Sequence, residues 1–133
     1  MRAAVAVPEP EPAPLNPEPA WAGKVVVNMR AAAFETGGQQ RMTLELVERL
    51  GWLERLAPDR PLRGIKGHAW EQLVMPTRAR GKLLWSPSAT GAVSYARQIV
   101  TLHDLAFFDV PECFAPSFVL AYQTLIPRLV RPL

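Results

Sequence analysis

Residues 24–28 read Lys-Val-Val-Val-Asn, a short β-branched run that ends on a polar side chain. An uninterrupted apolar run of this length is typical of a strand that is buried on both faces, as strands of parallel sheets are. Two further runs of the same kind follow, KLLW at residues 82–85 and IVTL at residues 99–102. The three runs predict the strands of one buried sheet.

Helical patterns separate these strands. The first is an apolar stripe formed by Leu46, Val47, Leu50 and Leu53. It predicts a helix over about residues 39–56, which Gly51 would weaken. A shorter helix, interrupted near Pro76, is expected over residues 68–80, and a mostly apolar helix over residues 115–130. Strands that alternate with helices predict an α/β fold, a Rossmann-like parallel sheet with flanking helices.

The composition is that of one globular domain, preceded by a tail. Of the 133 residues, 49% are hydrophobic and 20% are charged, which excludes a wholly disordered or fibrous chain. Residues 8–19, PEPEPAPLNPEP, hold six prolines and three glutamates. Such a segment is either a docking peptide for a proline-reading partner or simply a tail. We therefore predict a disordered tail over residues 1–23 and a folded domain over residues 24–133.

Net charge, cysteine content and hydropathy limit the partners and the compartment. The formal charge is +3, and residues 1–23 carry one Arg and three Glu, so the positive excess lies on the folded part. A positive excess suits a surface that binds phosphates or anionic lipid headgroups, but it more often belongs only to solvated surface. No motif indicates a nucleic-acid partner. Cys113 is the single cysteine, which indicates a reducing compartment. No run resembles a secretory signal or a membrane-spanning helix, so a cytoplasmic protein is expected.

Polar and glycine-containing segments follow the predicted strands, at the ends where open parallel sheets bind ligands. The predicted cleft-lining residues at these ends are Asn28, Ser88, Thr90 and Gly91. His103 and Asp104 follow the last strand and are the candidate catalytic residues. His103 could be a general base, a hydrogen-bond donor to a ligand hydroxyl or a metal ligand, or it could only mark where the strand leaves the core. With His68 as the other histidine, a metal site is not expected.

A glycine pair precedes the first helix, in Thr36-Gly37-Gly38-Gln39-Gln40-Arg41. Glycines there let a ligand approach the backbone, and the free N–H groups of a helix start attract phosphate. Gly37, Gly38, Gln39 and Arg41 are therefore candidates for a substrate or phosphate loop. The segment is neither a dinucleotide fingerprint nor a P-loop, and a plain structural turn is the alternative. No serine or cysteine occurs in a nucleophile-elbow motif.

The order of five blocks resembles the N-terminal half of bacterial glycosyltransferases of family 4. The blocks are VVVNMR, TGGQQR, HAWEQLVMP, LLWSPSATG and VTLHDLAFFDVPECF. These GT-B enzymes include mannosyl- and rhamnosyltransferases of surface-polysaccharide synthesis. The resemblance covers about residues 24–131, and the HAWEQLVMP and VTLHDLAFFDVPECF blocks are its most specific parts.

The resemblance implies a hexose or deoxyhexose transfer, with retention, from a nucleotide sugar to a glycan or lipid-linked acceptor. It implies that Gly37 and Gly38 lie near the donor phosphates and the acceptor. It also implies that His103 points into the cleft near the transferred sugar, where Asp104 supports or orients it. No cofactor or bound metal is expected, since side chains and helix termini meet the charge of the leaving diphosphate. The expected location is the cytoplasm or the inner face of the membrane, with at most peripheral contact.

Two departures from the family pattern affect this interpretation. The segment between Leu56 and Gly67 is too short for the strand-helix-strand material usual before the WEQ block, which predicts a shortened sheet. The chain also ends at residue 133, before the donor-binding domain of its relatives. We therefore expect an acceptor-side domain that is a poor or inactive catalyst alone. The alternative is a non-catalytic remnant, or an interaction subunit that docks a separate donor-binding domain.

Overall fold

A four-stranded, all-parallel sheet forms the centre of the protein. The computed structural model describes residues 18–34 and 37–131. The strands are β1 (Val25–Asn28), β2 (Glu54–Leu56), β3 (Leu83–Ser86) and β4 (Gln98–Val100), in the spatial order β2-β1-β3-β4. The predicted α/β fold, with a parallel sheet and flanking helices, is confirmed.

Five helices accompany the described strands. They are α1 (Gly38–Arg49), α2 (Gly64–Leu73), α3 (Met75–Arg78), α4 (Ala106–Asp109) and α5 (Pro116–Leu129). Short 3-10 turns cover Arg30–Ala33 and Pro111–Cys113. The predicted interruption near Pro76 is confirmed, because α2 ends at Leu73 and Pro76 stands in the first turn of α3. Proline lacks an N–H group and is best tolerated in that position.

Apolar side chains pack on both faces of the sheet. On one face, Val26 and Leu84 pack with Trp70 and Met75 from the α2–α3 region. On the other, the neighbouring strand residues Val25 and Val27 pack with Val47 from α1, and with partners that include Leu53 and Trp85. Successive side chains of a strand point to opposite faces, so the valine run of β1 serves both clusters. This explains why the first three positions of β1 are all apolar.

The first predicted helix was too long. It ends at Arg49, and residues 54–56 of the predicted helix form strand β2 instead. Leu53 keeps its place in the core, but from a turn, where its N–H donates to the Leu50 carbonyl. Glu54 and Arg55 are exposed, as suits charged residues on an edge strand. A three-residue strand with two charged positions has no apolar pattern that could predict it.

The last strand is less buried than predicted. The apolar run at residues 99–102 indicated a strand covered on both faces, but β4 lies at the sheet edge and Ile99 is 52% exposed. Its inner side pairs with β3, where Ile99 is in register with Trp85. The prediction of a strand was right and that of full burial was wrong.

The predicted tail lies mostly outside the described residues. Its described part, residues 18–23, includes a turn in which the Ala22 N–H donates to the Pro19 carbonyl. The Trp21 ring meets Trp52 edge-on, with 4.8 Å between ring centroids. In the described ranges, no helix is both long and apolar enough to cross a bilayer.

The strand order determines where a ligand can enter. From β1 the chain moves to β2 on one side, and then crosses to β3 and β4 on the other. In sheets of this kind the connections diverge between β1 and β3, which leaves a crevice beyond the carboxyl ends of those strands. The residues that follow β1, β3 and β4 therefore meet at one edge of the sheet.

Candidate functional site

A cavity of about 390 Å³ opens at this carboxyl edge. Its polar wall comes from several elements and consists of Arg30, Gln39, Gln40, Arg63, Ser88, His103 and Asp104. Its aromatic lining consists of Phe34, Phe107, Phe114, Phe118 and Tyr122. Phe118 and Tyr122 stack at 4.2 Å between centroids, and Phe114 stacks on Phe118 at 5.5 Å. The cavity thus combines hydrogen-bonding and cationic groups with an apolar side.

The predicted site residues fall into three groups. Those that line the cavity are Gln39, Ser88, His103 and Asp104. Gly37 and Gly38 stand just before them at the start of α1, whereas Arg41 is exposed and is not part of the lining. Asn28, Thr90 and Gly91 are buried and do not line the cavity. The chain therefore brings together predicted residues from the α1 start and from the loops after β3 and β4.

The ring of His103 is held by one backbone contact. Its Nε2 lies 2.7 Å from the Pro87 carbonyl oxygen, in the loop that follows β3. A carbonyl oxygen can only accept, so Nε2 carries a proton and donates it. In the neutral ring, Nδ1 is then the nitrogen that can accept a hydrogen bond or a proton from a ligand. The contact defines a tautomer suited to a general base or hydrogen-bond acceptor.

The resemblance implies that Asp104 supports His103, but its carboxylate binds a different group. Its Oδ1 accepts the Ala106 backbone N–H at 2.9 Å, at the start of α4. This bond satisfies a donor that has no partner within the helix. His103 is instead oriented by the Pro87 carbonyl. Asp104 remains in the cavity wall as a single carboxylate.

Gly37 makes room for a neighbouring side chain. Its N–H donates to Gln40 Oε1 at 3.2 Å, and a Cβ at this position would stand 2.9 Å from that oxygen. Its backbone is extended, so the conformation itself does not require glycine. A Cβ on Gly38 would meet nothing within 4 Å. A side chain on Gly37 would therefore displace only the flexible end of Gln40, and no backbone contact requires glycine at either position.

Ala89, in the loop after β3, has a left-handed backbone with φ +60°. This conformation costs an alanine roughly 1–2 kcal/mol. The Ala89 N–H donates to the Thr101 carbonyl at 3.1 Å, which ties this loop to the end of β4. Ala89 lines the cavity beside Ser88. An unfavourable backbone is therefore held in place within the site.

A buried carboxylate stands behind the polar wall. Glu71 of α2 is fully buried, and its Oε1 accepts hydrogen bonds from Asn28 Nδ2 at 2.9 Å and Thr90 Oγ1 at 2.7 Å. Arg30 Nε lies 2.9 Å from the same oxygen. On the other side, His68 Nδ1 lies 3.3 Å from Glu71 Oε2. One carboxylate therefore joins β1, the segments that follow β1 and β3, and α2.

The surroundings of Glu71 favour its ionised form. Burial is the largest single influence and raises the pKa of Glu71. The His68 side chain, the adjacent positive charge of Arg30 and the Thr90 hydroxyl together outweigh burial and lower that pKa below its ordinary value of 4.5. Burial also raises the pKa of Tyr122 above 10.0, so its phenol stays neutral at the cavity wall. The network is thus an ion pair that also receives hydrogen bonds from the neutral Asn28 and Thr90 side chains.

Arg30 and Glu71 were not predicted as site residues. Both are charged yet at least 94% buried, which is rare unless such residues are paired. A glutamate within the apolar HAWEQLV segment was the available signal.

Gly67 was missed as well. A Cβ on it would lie 2.5 Å from both Arg30 Nη1 and the Leu62 carbonyl oxygen. Gly67 therefore leaves space for the buried guanidinium.

The described residues include no group of three or more His, Cys, Asp or Glu side chains that could hold a metal ion. Cys113 is exposed and has a free thiol. Comparisons with protein-family models, curated proteins and solved structures found no match for this chain. The family resemblance therefore stays a prediction.

Proposed function

We propose that this domain is the acceptor-side half of a retaining glycosyltransferase. It would act on a hexose or deoxyhexose carried by a nucleotide sugar, with a glycan or lipid-linked acceptor. The observation that carries the proposal is the cavity at the carboxyl edge of the sheet, which gathers Ser88, His103 and two arginines from separate loops. A phosphorylated, polyhydroxylated ligand needs this combination of cations and hydrogen-bonding side chains.

Each polar group has a defined role in this proposal. His103 Nδ1 accepts a hydrogen bond from a sugar hydroxyl, while Nε2 stays bound to the Pro87 carbonyl. Arg30 and Arg63 meet the negative charge that develops on the leaving diphosphate. Ser88 supplies a further hydroxyl at the same wall. The second domain of such an enzyme brings the donor to this wall, and transfer requires both halves to hold their ligands together.

The test is transfer with the donor-binding domain supplied. The chain is mixed with such a domain from a family-4 enzyme, and sugar transfer from GDP-mannose or dTDP-rhamnose to a lipid-linked acceptor is measured. His103→Ala should lower the rate by about 100-fold or more. Arg55→Ala, on the exposed edge strand β2, is the matched control and should keep the wild-type rate. Unchanged transfer by His103→Ala would remove His103 from the mechanism.

A second candidate function is a non-catalytic interaction subunit that docks a separate donor-binding domain. An apolar groove of about 730 Å³ between α2 and α5 favours it. Ile65 and Leu120 line this groove and are 86% and 70% exposed. In this case Leu120→Lys would abolish association with the donor-binding domain, whereas His103→Ala would leave every measured property unchanged.

A further inference from the structure

We propose that the polar wall of the cavity holds a phosphate or diphosphate group, that Arg30 binds it, and that Glu71 is the residue that positions Arg30. This proposal extends the proposed function. Only the identity of the natural ligand, a nucleotide sugar, rests on that function. The anion site itself follows from the geometry of Arg30, Arg63 and two helix starts. It therefore stands or falls on binding measurements that involve no sugar transfer.

Arg30 is a buried cation at the cavity wall. The residue is only 6% exposed, yet it lines the cavity. Its Nη1 donates to the Leu62 carbonyl at 3.2 Å, and its Nε faces Glu71 Oε1 without the angle of a hydrogen bond. Among residues 18–34 and 37–131, no hydrogen bond engages Nη2. The guanidinium thus keeps donor capacity for a ligand while its other side is fixed by the protein.

Two helices begin at this wall. α1 has 12 residues and contributes Gln39 and Gln40 from its first turn, and α2 has 10 residues and contributes Arg63 and Gly64 at its start. The first N–H groups of a helix have no acceptor within it, and the helix dipole adds partial positive charge there. Two such ends beside a buried arginine form a setting for an anion that one helix start alone does not provide.

The lining of the cavity carries one more cation than carboxylate, which suits an anionic ligand. Arg30 and Arg63 are the cations of the lining, and Asp104 is its carboxylate. Asp104 is turned to the Ala106 N–H. The Arg63 guanidinium carbon lies 4.4 Å from the centre of the Phe34 ring, which holds this second arginine at the rim. Arginine pairs well with phosphate oxygens because its planar group can donate two parallel hydrogen bonds.

Glu71 acts on this site through Arg30. It is absent from the cavity lining, but its Oε1 is 2.9 Å from Arg30 Nε. Asn28 and Thr90 hold that oxygen from two other segments, so the carboxylate has one position. Asn28 Oδ1 also accepts the Arg30 backbone N–H at 3.1 Å. The guanidinium is therefore oriented before a ligand arrives, which lowers the entropic cost of binding.

The test is calorimetric titration of the full chain with pyrophosphate, with uridine as a phosphate-free control. Wild type should bind pyrophosphate and not uridine. Arg63→Ala should weaken binding by about fivefold or more, and Arg30→Lys, which keeps the charge but not the planar fork, by about tenfold or more. Glu71→Gln should weaken it comparably. Glu45→Gln, an exposed carboxylate of α1, is the matched control and should keep the wild-type affinity.

A positioning role predicts a spectroscopic result that a merely structural role does not. In ¹⁵N NMR spectra of the arginine side chains, pyrophosphate should shift the Arg30 guanidinium signal of wild type. In Glu71→Gln that signal should already be displaced before ligand is added, while the backbone amide spectrum stays folded. Uridine diphosphate and geranyl diphosphate then distinguish a nucleotide source of the diphosphate from an isoprenoid source.

Several results would overturn the proposal. The first is that wild type does not bind pyrophosphate. The second is that Arg30→Lys binds pyrophosphate with the wild-type affinity. The third is that the Arg30 guanidinium signal does not shift when pyrophosphate is added. If His103-dependent transfer occurs while pyrophosphate binding does not depend on Arg30 and Glu71, the anion site is wrong, and the proposed transfer function stands without the role given to Arg30. If pyrophosphate binds through Arg30 but no donor-binding domain supports transfer, the anion site stands and the proposed function fails.

Discussion

The polar cavity and the apolar groove both contact helices α2 and α5, yet they differ in what lies behind them. α2 contributes Arg63 to the cavity and Ile65 to the groove, and α5 contributes Tyr122 to the cavity and Leu120 to the groove. Behind the cavity stands the buried Arg30–Glu71 network. The groove is lined mainly by aliphatic side chains, two of which are largely exposed. Volume alone would favour the groove as the ligand site, whereas the buried Arg30–Glu71 network favours the cavity.

The two surfaces differ in what they cost the folded protein. Burying an ion pair carries a desolvation penalty, and well-packed apolar residues would often serve stability equally well. Such a pair beside an open cavity therefore has a better explanation in ligand binding than in folding. An exposed apolar side chain at the groove carries no comparable cost in the folded protein.

Removal of the buried carboxylate should have the largest effect. Glu71→Ala leaves Arg30 buried without its counter-charge, so we expect unfolding free energy to fall by about 3–5 kcal/mol. Glu54→Ala is the matched control, because Glu54 pairs with Lys82 on the exposed sheet edge and should contribute about 1 kcal/mol or less. Urea unfolding of the two variants measures both. If the two variants lost the same unfolding free energy, the buried Arg30–Glu71 network would contribute no more to stability than a surface ion pair.

Crowding the arginine should have the next largest effect. In Gly67→Ala the new methyl group would lie 2.5 Å from Arg30 Nη1 and from the Leu62 carbonyl oxygen. Backbone oxygen cannot move aside cheaply, so we expect a loss of about 1–3 kcal/mol, despite the helix preference of alanine. Gly38→Ala, with nothing within 4 Å, should keep or slightly raise stability. Thermal unfolding compares them, and a stable Gly67→Ala protein would show that the guanidinium is not tightly held.

Acid should weaken the network before it affects the groove. The pKa of Glu71 is lowered in the folded state from 4.5, so its ionised form stabilises the fold above that value. This contribution is lost as the pH falls through the lower, folded-state pKa. The stability of wild type should therefore fall more steeply below about pH 4.5 than that of Glu71→Gln. Urea unfolding across this range tests it, and parallel curves would mean that Glu71 does not titrate as an ion-paired group.

The groove should give the smallest effect. Ile65→Ser replaces a side chain that is 86% exposed, and we expect a change within about 0.5 kcal/mol. Val26→Ser, in the core on β1, is the contrasting variant and should be strongly destabilising. If Ile65→Ser destabilised the protein substantially, the groove would have to be closed in solution.

Much of the fold was predictable because its signals are local. β1 and β3 are consecutive apolar runs, α5 is a long apolar segment, and the parallel arrangement follows from their alternation with helices. β2 escaped prediction because its three residues include two exposed charges. The edge position of β4 depends on which strands pair. No local sequence pattern predicts that pairing.

The site was predictable only in outline. Strand ends indicated the edge at which Ser88 and His103 meet, because the carboxyl ends of parallel strands share one side. The network depends on long-range pairing, since Asn28 and Glu71 are 43 positions apart in sequence. Arg30 lies two residues after the end of β1 and resembles any surface arginine in the sequence. Its burial depends on the space left by Gly67, which only the folded chain creates.

The central claim is that the cavity at the carboxyl edge, and not the α2–α5 groove, is the ligand site. The most direct measurement is ¹H–¹⁵N NMR of the ¹⁵N-labelled chain during titration with a nucleotide sugar such as GDP-mannose. We predict saturable shifts at Gln39, Ser88 and His103, with Ile65 and Leu120 unchanged. Shifts confined to Ile65 and Leu120, or none at any concentration up to the millimolar range, would contradict the account.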